Sequence, residues 1–124
     1  NQGLVALAFA VRVSLLGKTG FVEVARRCLA KARYLRDQLT QLPGVGAAFG
    51  DAPFFNEFAV RFSGHTAAAV LARLEQAGIV GGYDLGRTDP AWSDRLLVAV
   101  TEKHARADLD EFVTALRTAL ADLG

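Results

Sequence analysis

The first 42 residues contain two helical patterns that differ in how much of their surface is apolar. From Asn1 to Leu16 apolar side chains lie on nearly all sides, which is typical of a helix that is covered on most sides. The segment Gly17–Gly20 predicts a break. A second helix is then predicted from an apolar face that recurs at steps of three and four residues: Phe21, Val24, Ala25, Cys28, Ala32, Leu35, Leu39 and Leu42. We therefore expect a buried first helix, which needs a neighbour to cover it, and an amphipathic second helix.

Three later segments have the alternation or the apolar run of a β-strand. Val45–Phe49 is short enough for an edge strand, and Phe54–Phe62 alternates, with one face apolar except for Asn56. Leu96–Val100 is an unbroken apolar run, which is typical of a central strand covered on both faces. We expect the second and third of these strands to be neighbours in one sheet.

Two further helices complete the predicted fold. One is predicted over Thr66–Ala77, with Gly78 as a left-handed cap. The last helix has an apolar stripe made of Leu109, Phe112, Val113, Leu116, Leu120 and Leu123. The prediction is an α+β fold, in which a small, mostly antiparallel sheet is packed with helices. Residues 1–124 form a single domain, with leading helices over residues 1–42 and the sheet with its helices over residues 45–124.

The amino-acid composition limits the binding partners and the cellular compartment that we expect for this protein. Hydrophobic content is 52%, charged content is 22% and the net charge is +1, so nothing favours binding to nucleic acid or to an anionic membrane. Cys28 is the only cysteine, which excludes an intrachain disulfide and favours a reducing compartment, the cytoplasm. The chain contains no methionine and opens inside a predicted helix, so we expect it to be part of a longer protein.

Few side chains have a setting suited to catalysis. His65 and His104 lie in loop-like segments and are predicted to be surface histidines, without the spacing of a metal site. Cys28 lies on an apolar helix face, where a thiol is usually a small buried hydrophobe. The lysines are Lys18, Lys31 and Lys103. None of them lies in the apolar surroundings that activate a Schiff-base lysine.

A polar set at the ends of the predicted strands remains: Asn56, Glu57, Arg61, Tyr83, Asp84, Arg87, Thr101 and Glu102. One interpretation is structural, in which Asp84 pairs with Arg87 and Asn56 satisfies a backbone amide. The other interpretation is that the set fixes this domain against a larger domain whose cleft holds a ligand, with an arginine facing a carboxylate.

Five segments carry a resemblance to a known family. They are NQGLVALA at Asn1, LLGKTGFVEVA at Leu15, PFFNEF at Pro53, GGYDLGR at Gly81 and LLVAVTE at Leu96. In this order and spacing they resemble the C-terminal region of the glycine cleavage system P-protein, subunit 1. That family is the alpha half of the two-subunit glycine dehydrogenase (decarboxylating).

The resemblance implies a fold, an activity and partners. The fold would be the small C-terminal domain of the fold-type I, aspartate-aminotransferase-like architecture, preceded by the large domain of the same subunit. The parent complex would use pyridoxal phosphate, bound through the partner beta subunit, to decarboxylate glycine and pass the aminomethyl group to the lipoyl arm of H-protein. This chain would hold no cofactor and no catalytic residue, so alone it would be inactive.

The resemblance also selects seven residues at positions that match the family motifs: Asn56, Glu57, Tyr83, Asp84, Arg87, Thr101 and Glu102. It implies interdomain or intersubunit contact for them, not chemistry.

Two other interpretations remain open from the residues alone. One is a small regulatory α+β module that binds an amino acid at the strand ends, with Asp84 and Arg87 as ligand contacts. The other is a stand-alone dimerisation domain, in which the first helix forms the interface.

Overall fold

Three α-helices and a four-stranded sheet make up the structure, a computed structural model that describes all 124 residues. The helices are α1 (Gln2–Thr40), α2 (Ala67–Gln76) and α3 (Arg106–Leu123). The strands are β1 (Val45–Ala47), β2 (Glu57–Phe62), β3 (Tyr83–Asp84) and β4 (Arg95–Ala99), with short 3-10 turns at Leu85–Arg87 and Pro90–Trp92 between β3 and β4. The α+β prediction is confirmed.

The sheet is antiparallel throughout, in the order β1-β2-β4-β3. β2 and β4 are neighbours, with Glu57 opposite Ala99 and Arg61 opposite Arg95, as predicted. β1 is the predicted edge strand, and it ends at Ala47. β2 is shorter than the alternation suggested, because β4 ends at Ala99 and a turn follows, leaving Phe54 without a strand partner.

The core lies on one face of the sheet. Phe58, Val60 and Phe62 of β2 lie beside Leu96 and Val98 of β4 and are buried. Fully buried helix residues pack against them, including Leu35, Leu39, Val70, Leu74 and Leu116. All of these side chains lose contact with water together, which provides the main driving force for folding.

The prediction that the Leu96–Val100 strand is covered on both faces is wrong for this chain. Leu97 is half-buried and Ala99 is exposed, whereas Leu96 and Val98 are buried. The physical reason is that the helices pack on the face that carries Leu96 and Val98. The opposite face of the sheet stays largely open.

α1 is bent at Gly17, which has φ 64° and ψ 179°. This backbone region is open essentially to glycine alone, because a side chain would clash there. The predicted break is confirmed, but the helix resumes at once and Lys18 to Gly20 are helical.

Residues 2–16 of α1, the N-terminal arm, are not buried, so no part of this chain is the neighbour that the first helix was expected to need. Leu4, Phe9 and Leu15 are 67%, 64% and 83% exposed. The reason is geometric: the buried residues of α1 all follow the bend, from Cys28 to Leu39. The helix is long and apolar enough to cross a membrane by length and composition alone.

Capping interactions mark the start and end of α2 and the start of α3. The Thr66 hydroxyl accepts a hydrogen bond from the amide of Ala69 at 3.2 Å, a typical N-cap. Gly78 has φ 78°, which confirms the predicted left-handed cap. At the start of α3, a carboxylate oxygen of Asp108 accepts a hydrogen bond from the amide of Ala105 at 2.7 Å.

Candidate functional site

Four of the seven predicted site residues meet at one end of the sheet. β2 begins beside Asn56 and Glu57, and antiparallel pairing brings the end of β4, followed by Thr101 and Glu102, to the same edge. The amide of Val100 donates to the carbonyl oxygen of Asn56 at 2.8 Å, which extends the ladder by one pair. Asn56 forms a hydrogen bond only through its backbone, so the predicted hydrogen bond between its side chain and a backbone amide does not form.

The other three predicted residues lie towards the opposite end. Asp84 is paired with Leu96, near the start of β4, and Tyr83 is paired with Leu97. Thr101 lies five positions after Leu96 along the extended chain, which corresponds to about 16 Å. The structure therefore divides the predicted set into two groups and does not form a single cluster.

The GGYDLGR loop is held by its own hydrogen bonds. A carboxylate oxygen of Asp84 accepts from the amide of Gly86 at 2.8 Å and caps the 3-10 turn that follows β3. The hydroxyls of Tyr83 and Thr88 lie 3.3 Å apart. Asp84 and Arg87 form no ion pair, so the predicted local pairing is wrong: the Asp84 carboxylate caps a turn instead.

Close packing explains the glycines of this loop. A Cβ atom on Gly82 would lie 2.3 Å from the carbonyl oxygen of Leu97, and one on Gly81 would lie 2.5 Å from a methyl group of Leu74. Both distances are shorter than real contacts allow. The glycines therefore let the loop lie directly against β4 and α2, which is a structural role.

Glu102 joins the end of the sheet to both parts of α1. One carboxylate oxygen lies 3.5 Å from a guanidinium nitrogen of Arg12, in the N-terminal arm. The other accepts from the thiol of Cys28, beyond the bend, at 3.5 Å. The hydrogen bond from its own backbone amide, with smaller contributions from Cys28 and Arg12, lowers the pKa of the Glu102 carboxyl.

Lys31 fastens the turn after β4 to α1. Its ammonium group donates to the carbonyl oxygens of Glu102 and His104, each at 2.5 Å. Nδ1 of His104 accepts from the amide of Thr101 at 3.0 Å and closes the turn. His104 and His65 are half-buried, so the prediction of surface histidines holds in part. The reason for His104 is that its ring closes this turn.

These contacts could not be found by reading the sequence. Glu102 is 90 residues from Arg12, 74 from Cys28 and 71 from Lys31. No local pattern relates such distant positions, because only the packing of α1 against the end of the sheet brings them together. Cys28 itself is 7% exposed, as its place on the apolar helix face predicted.

A second group, which the sequence did not predict, lies near the start of β4. The guanidinium carbon of Arg95 is 5.1 Å from the ring centre of Phe49 and 5.4 Å from that of Trp92, within the range of a cation–π contact. Asp94 lies 3.6 Å from Arg95 and 3.3 Å from Arg61. This cluster covers part of the otherwise open face of the sheet.

A cavity of about 350 Å³ lies between β4, the start of α3 and the segment Ala77–Gly81. Apolar side chains such as Leu35 and Phe112 form most of its walls, and His104, Asp108 and Glu111 supply the polar lining. It contains no nucleophile paired with a base, so it lacks the arrangement that covalent catalysis needs.

The side chains of this chain do not fit a Schiff-base cofactor. Lys18 and Lys103 are exposed, and Lys31 is committed to two backbone carbonyls. A cofactor lysine is activated by desolvation or by a neighbouring cation, and none of the three has such a setting. No group of three or more histidine, cysteine, aspartate or glutamate residues is placed to hold a metal ion.

Solved structures share this fold. Glycine decarboxylase (P-protein) of the glycine cleavage system, in an inhibitor-bound form, superposes with a TM-score of 0.79 at 33% identity, over 89% of this chain and 24% of that one. Mouse CSAD gives 0.69 at 18%, over 90% of this chain and 26% of that one. A C-DES variant with glycine covalently linked to its PLP cofactor gives 0.63 at 18%, over 77% and 23%. The fold is therefore one that occurs in fold-type I pyridoxal-phosphate enzymes.

Sequence comparison gives the family. The family model "Glycine cleavage system P-protein" matches residues 1–116, and the chain belongs to this family. The probable glycine dehydrogenase (decarboxylating) subunit 1 of Sorangium cellulosum is 47% identical over 116 residues, 94% of this chain and 25% of the relative. That of Thermomicrobium roseum is 45% identical over 121 residues, 98% of this chain and 27% of the relative. The chain spans about a quarter of the length of these curated relatives.

Proposed function

We propose that this chain is the small C-terminal domain of the alpha subunit of glycine dehydrogenase (decarboxylating). In this proposal the P-protein decarboxylates glycine and transfers the aminomethyl group to lipoyl H-protein, with pyridoxal phosphate bound through the partner beta subunit. The domain itself is non-catalytic. Family membership, the names of the relatives and the short span of each that is matched support this assignment.

The observation that carries the proposal is the exposed N-terminal arm. Its apolar side chains, among them Leu7, Phe9 and Leu15, face solvent on several sides of the helix. Soluble proteins rarely leave this many neighbouring apolar side chains exposed unless a partner covers them. Because the chain belongs to this family, we assign this role to the large domain of the same subunit, which would pack on the arm.

The polar residues at the sheet end complete the proposed interface. Asn56, Glu57, Thr101 and Glu102 lie where α1 meets the sheet, and the side chain of Asn56 makes no hydrogen bond within the chain. An arrangement of polar groups beside an apolar surface is typical of interfaces between domains, which combine a desolvated centre with a polar rim.

We place the protein in the cytoplasm. The apolar arm before the bend has 15 residues and spans about 22 Å as a helix, short of the roughly 30 Å of a bilayer core. Arg12 lies within it, which adds to the cost of insertion. Cell fractionation tests this: recovery with the membranes would contradict the proposal.

Reconstitution tests the function. The chain alone should neither bind pyridoxal phosphate nor release carbon dioxide from carboxyl-labelled glycine. Added to the rest of its subunit and to the beta subunit, it should co-purify in equal amounts and restore release of labelled carbon dioxide. Activity of the chain alone, or failure to associate with the rest of its subunit, would overturn the proposal.

The exposed arm also favours a second candidate, self-association through the same surface. Analytical ultracentrifugation distinguishes the two, because a dimerisation domain stays dimeric when the rest of the subunit is added. A domain of the alpha subunit exchanges any self-contact for the large domain.

A further inference from the structure

The carboxylate of Glu102 touches α1 on both sides of its bend. Arg12, before Gly17, lies 3.5 Å from one oxygen, and the thiol of Cys28, after Gly17, lies 3.5 Å from the other. In a straight helix, 16 residues separate the α-carbons of these two residues by about 24 Å. One carboxylate cannot reach both across that distance, so the pair of contacts exists only when α1 is bent.

The backbone of Glu102 is held in the turn after β4 and against the part of α1 that follows the bend. Its carbonyl oxygen and that of His104 both accept from the ammonium group of Lys31 at 2.5 Å. The amide of Thr101 donates to Nδ1 of His104, which closes the same turn. The backbone that carries the carboxylate is therefore fixed at the end of β4. Contact between the carboxylate and Arg12 in turn fixes the position of the arm.

We propose that Glu102 is a positioning residue that selects the bent form of α1 and so sets the direction of the N-terminal arm. Gly17 permits the bend, because its φ of 64° is open to glycine, and the space that its Cβ would occupy has no packing atom from another part of the chain within 4 Å. The Arg12–Glu102 contact supplies the direction. The arm is then oriented before any partner binds, which lowers the ordering cost of docking.

The proposal concerns the conformation of this chain alone, so it stands or falls independently of the function proposed above. A helical arm acts as a lever: the 11 residues from Ala6 to Gly17 span about 16 Å, so a 30° change in the bend moves Ala6 by roughly 8 Å. A displacement of that size is measurable by energy transfer from a single donor.

Time-resolved energy transfer from Trp92, the only tryptophan, measures the direction of the arm. The acceptor is attached to an Ala6→Cys variant at high dilution, where Cys28 is protected by burial. The wild-type arm should give one narrow distance distribution. Arg12→Gln and Glu102→Gln should each broaden it, with the bent population falling relative to other directions by a factor of about 2 to 5, the range for an exposed ion pair.

Two further variants sharpen the test. The double variant Arg12→Gln, Glu102→Gln should be no broader than Glu102→Gln alone, because Arg12→Gln removes a contact that Glu102→Gln has already removed. Glu23→Gln, which breaks the Glu23–Arg27 pair beyond the bend, is the matched control and should leave the distribution unchanged. The proposal is overturned if Arg12→Gln, an exposed change that leaves the core intact, keeps the wild-type distribution, or if the two single effects add in the double variant.

Discussion

At the scale of single residues, the side chains that matter most here are those that join distant parts of the chain. Lys31 and Glu102 tie α1 to the turn after β4. In contrast, Asp84 in the GGYDLGR loop serves only its own turn. The residues chosen from the sequence as a contact set therefore include both long-range anchors and local caps, and substitutions should separate the two kinds.

Removing the ammonium group of Lys31 should destabilise the fold. A Lys31→Met variant keeps the apolar stem of the side chain but leaves the carbonyl oxygens of Glu102 and His104 without their donor. The cost of such unpaired, partly buried groups is about 1–3 kcal/mol, measured by urea unfolding. Lys18→Met is the matched control, because Lys18 makes no such bonds and should change stability by less than about 0.5 kcal/mol. Equal effects would show that the two carbonyl contacts contribute nothing.

The stabilisation from the Glu102 carboxylate should depend on pH. Its pKa is lowered in the folded chain, first by its own backbone amide and then by Cys28 and Arg12, so the folded state favours the charged form. Stability from this group is therefore fully present above the ordinary value of 4.5 and is lost as pH falls through the lowered folded pKa. The difference in unfolding free energy between wild type and Glu102→Gln should shrink below about pH 4.5. A difference that stays constant from pH 7 to about pH 2 would contradict this origin.

At the scale of secondary-structure elements, the bend in α1 is the decisive feature. It divides one helix into an arm that is exposed and a part that forms the core with the sheet. The sequence patterns of β2 and β4 predict correctly that these strands pair. The length of each strand depends on its partner, since β2 starts at Glu57 because β4 ends at Ala99.

Alanine at position 17 should act oppositely to alanine at position 20. Gly17 has φ 64° and ψ 179°, where a side chain costs about 1–3 kcal/mol, so Gly17→Ala should straighten α1 and weaken the bent form. Gly20 is helical, and a Cβ there would lie 3.4 Å from Leu16, so Gly20→Ala should stabilise the helix by up to about 1 kcal/mol. Energy transfer from Trp92 and thermal unfolding measure the two effects. Identical behaviour of the two variants would show that the bend places no special demand on position 17.

At the scale of the whole molecule, the structure is an α+β unit with one face of its sheet open and an apolar arm that extends from it. Both features suit a domain that packs against more protein. Each large apolar side chain that becomes fully buried in such an interface contributes about 1.5–3 kcal/mol before the costs of association.

A charge in the arm should therefore prevent assembly without unfolding the domain. Phe9 is 64% exposed, so Phe9→Asp should leave the unfolding temperature of the isolated chain unchanged, while co-purification with the rest of the subunit falls at least tenfold. Val80→Asp is the control, because Val80 is 95% exposed and lies in the body of the domain, outside residues 2–16. Loss of assembly in both variants, or in neither, would contradict docking through the arm.

The amino-acid sequence by itself determined which elements form: the helix with the apolar face over Phe21–Leu42, the two central strands, the Gly78 cap and the break at Gly17. Each depends on neighbours within a few residues, where backbone preference and periodicity act. The tertiary structure alone decided that the arm is exposed, that the sheet is covered on one face, and that Glu102 meets Arg12 and Cys28. These contacts join positions more than 70 residues apart, and the chain brings them together only when its apolar faces pack.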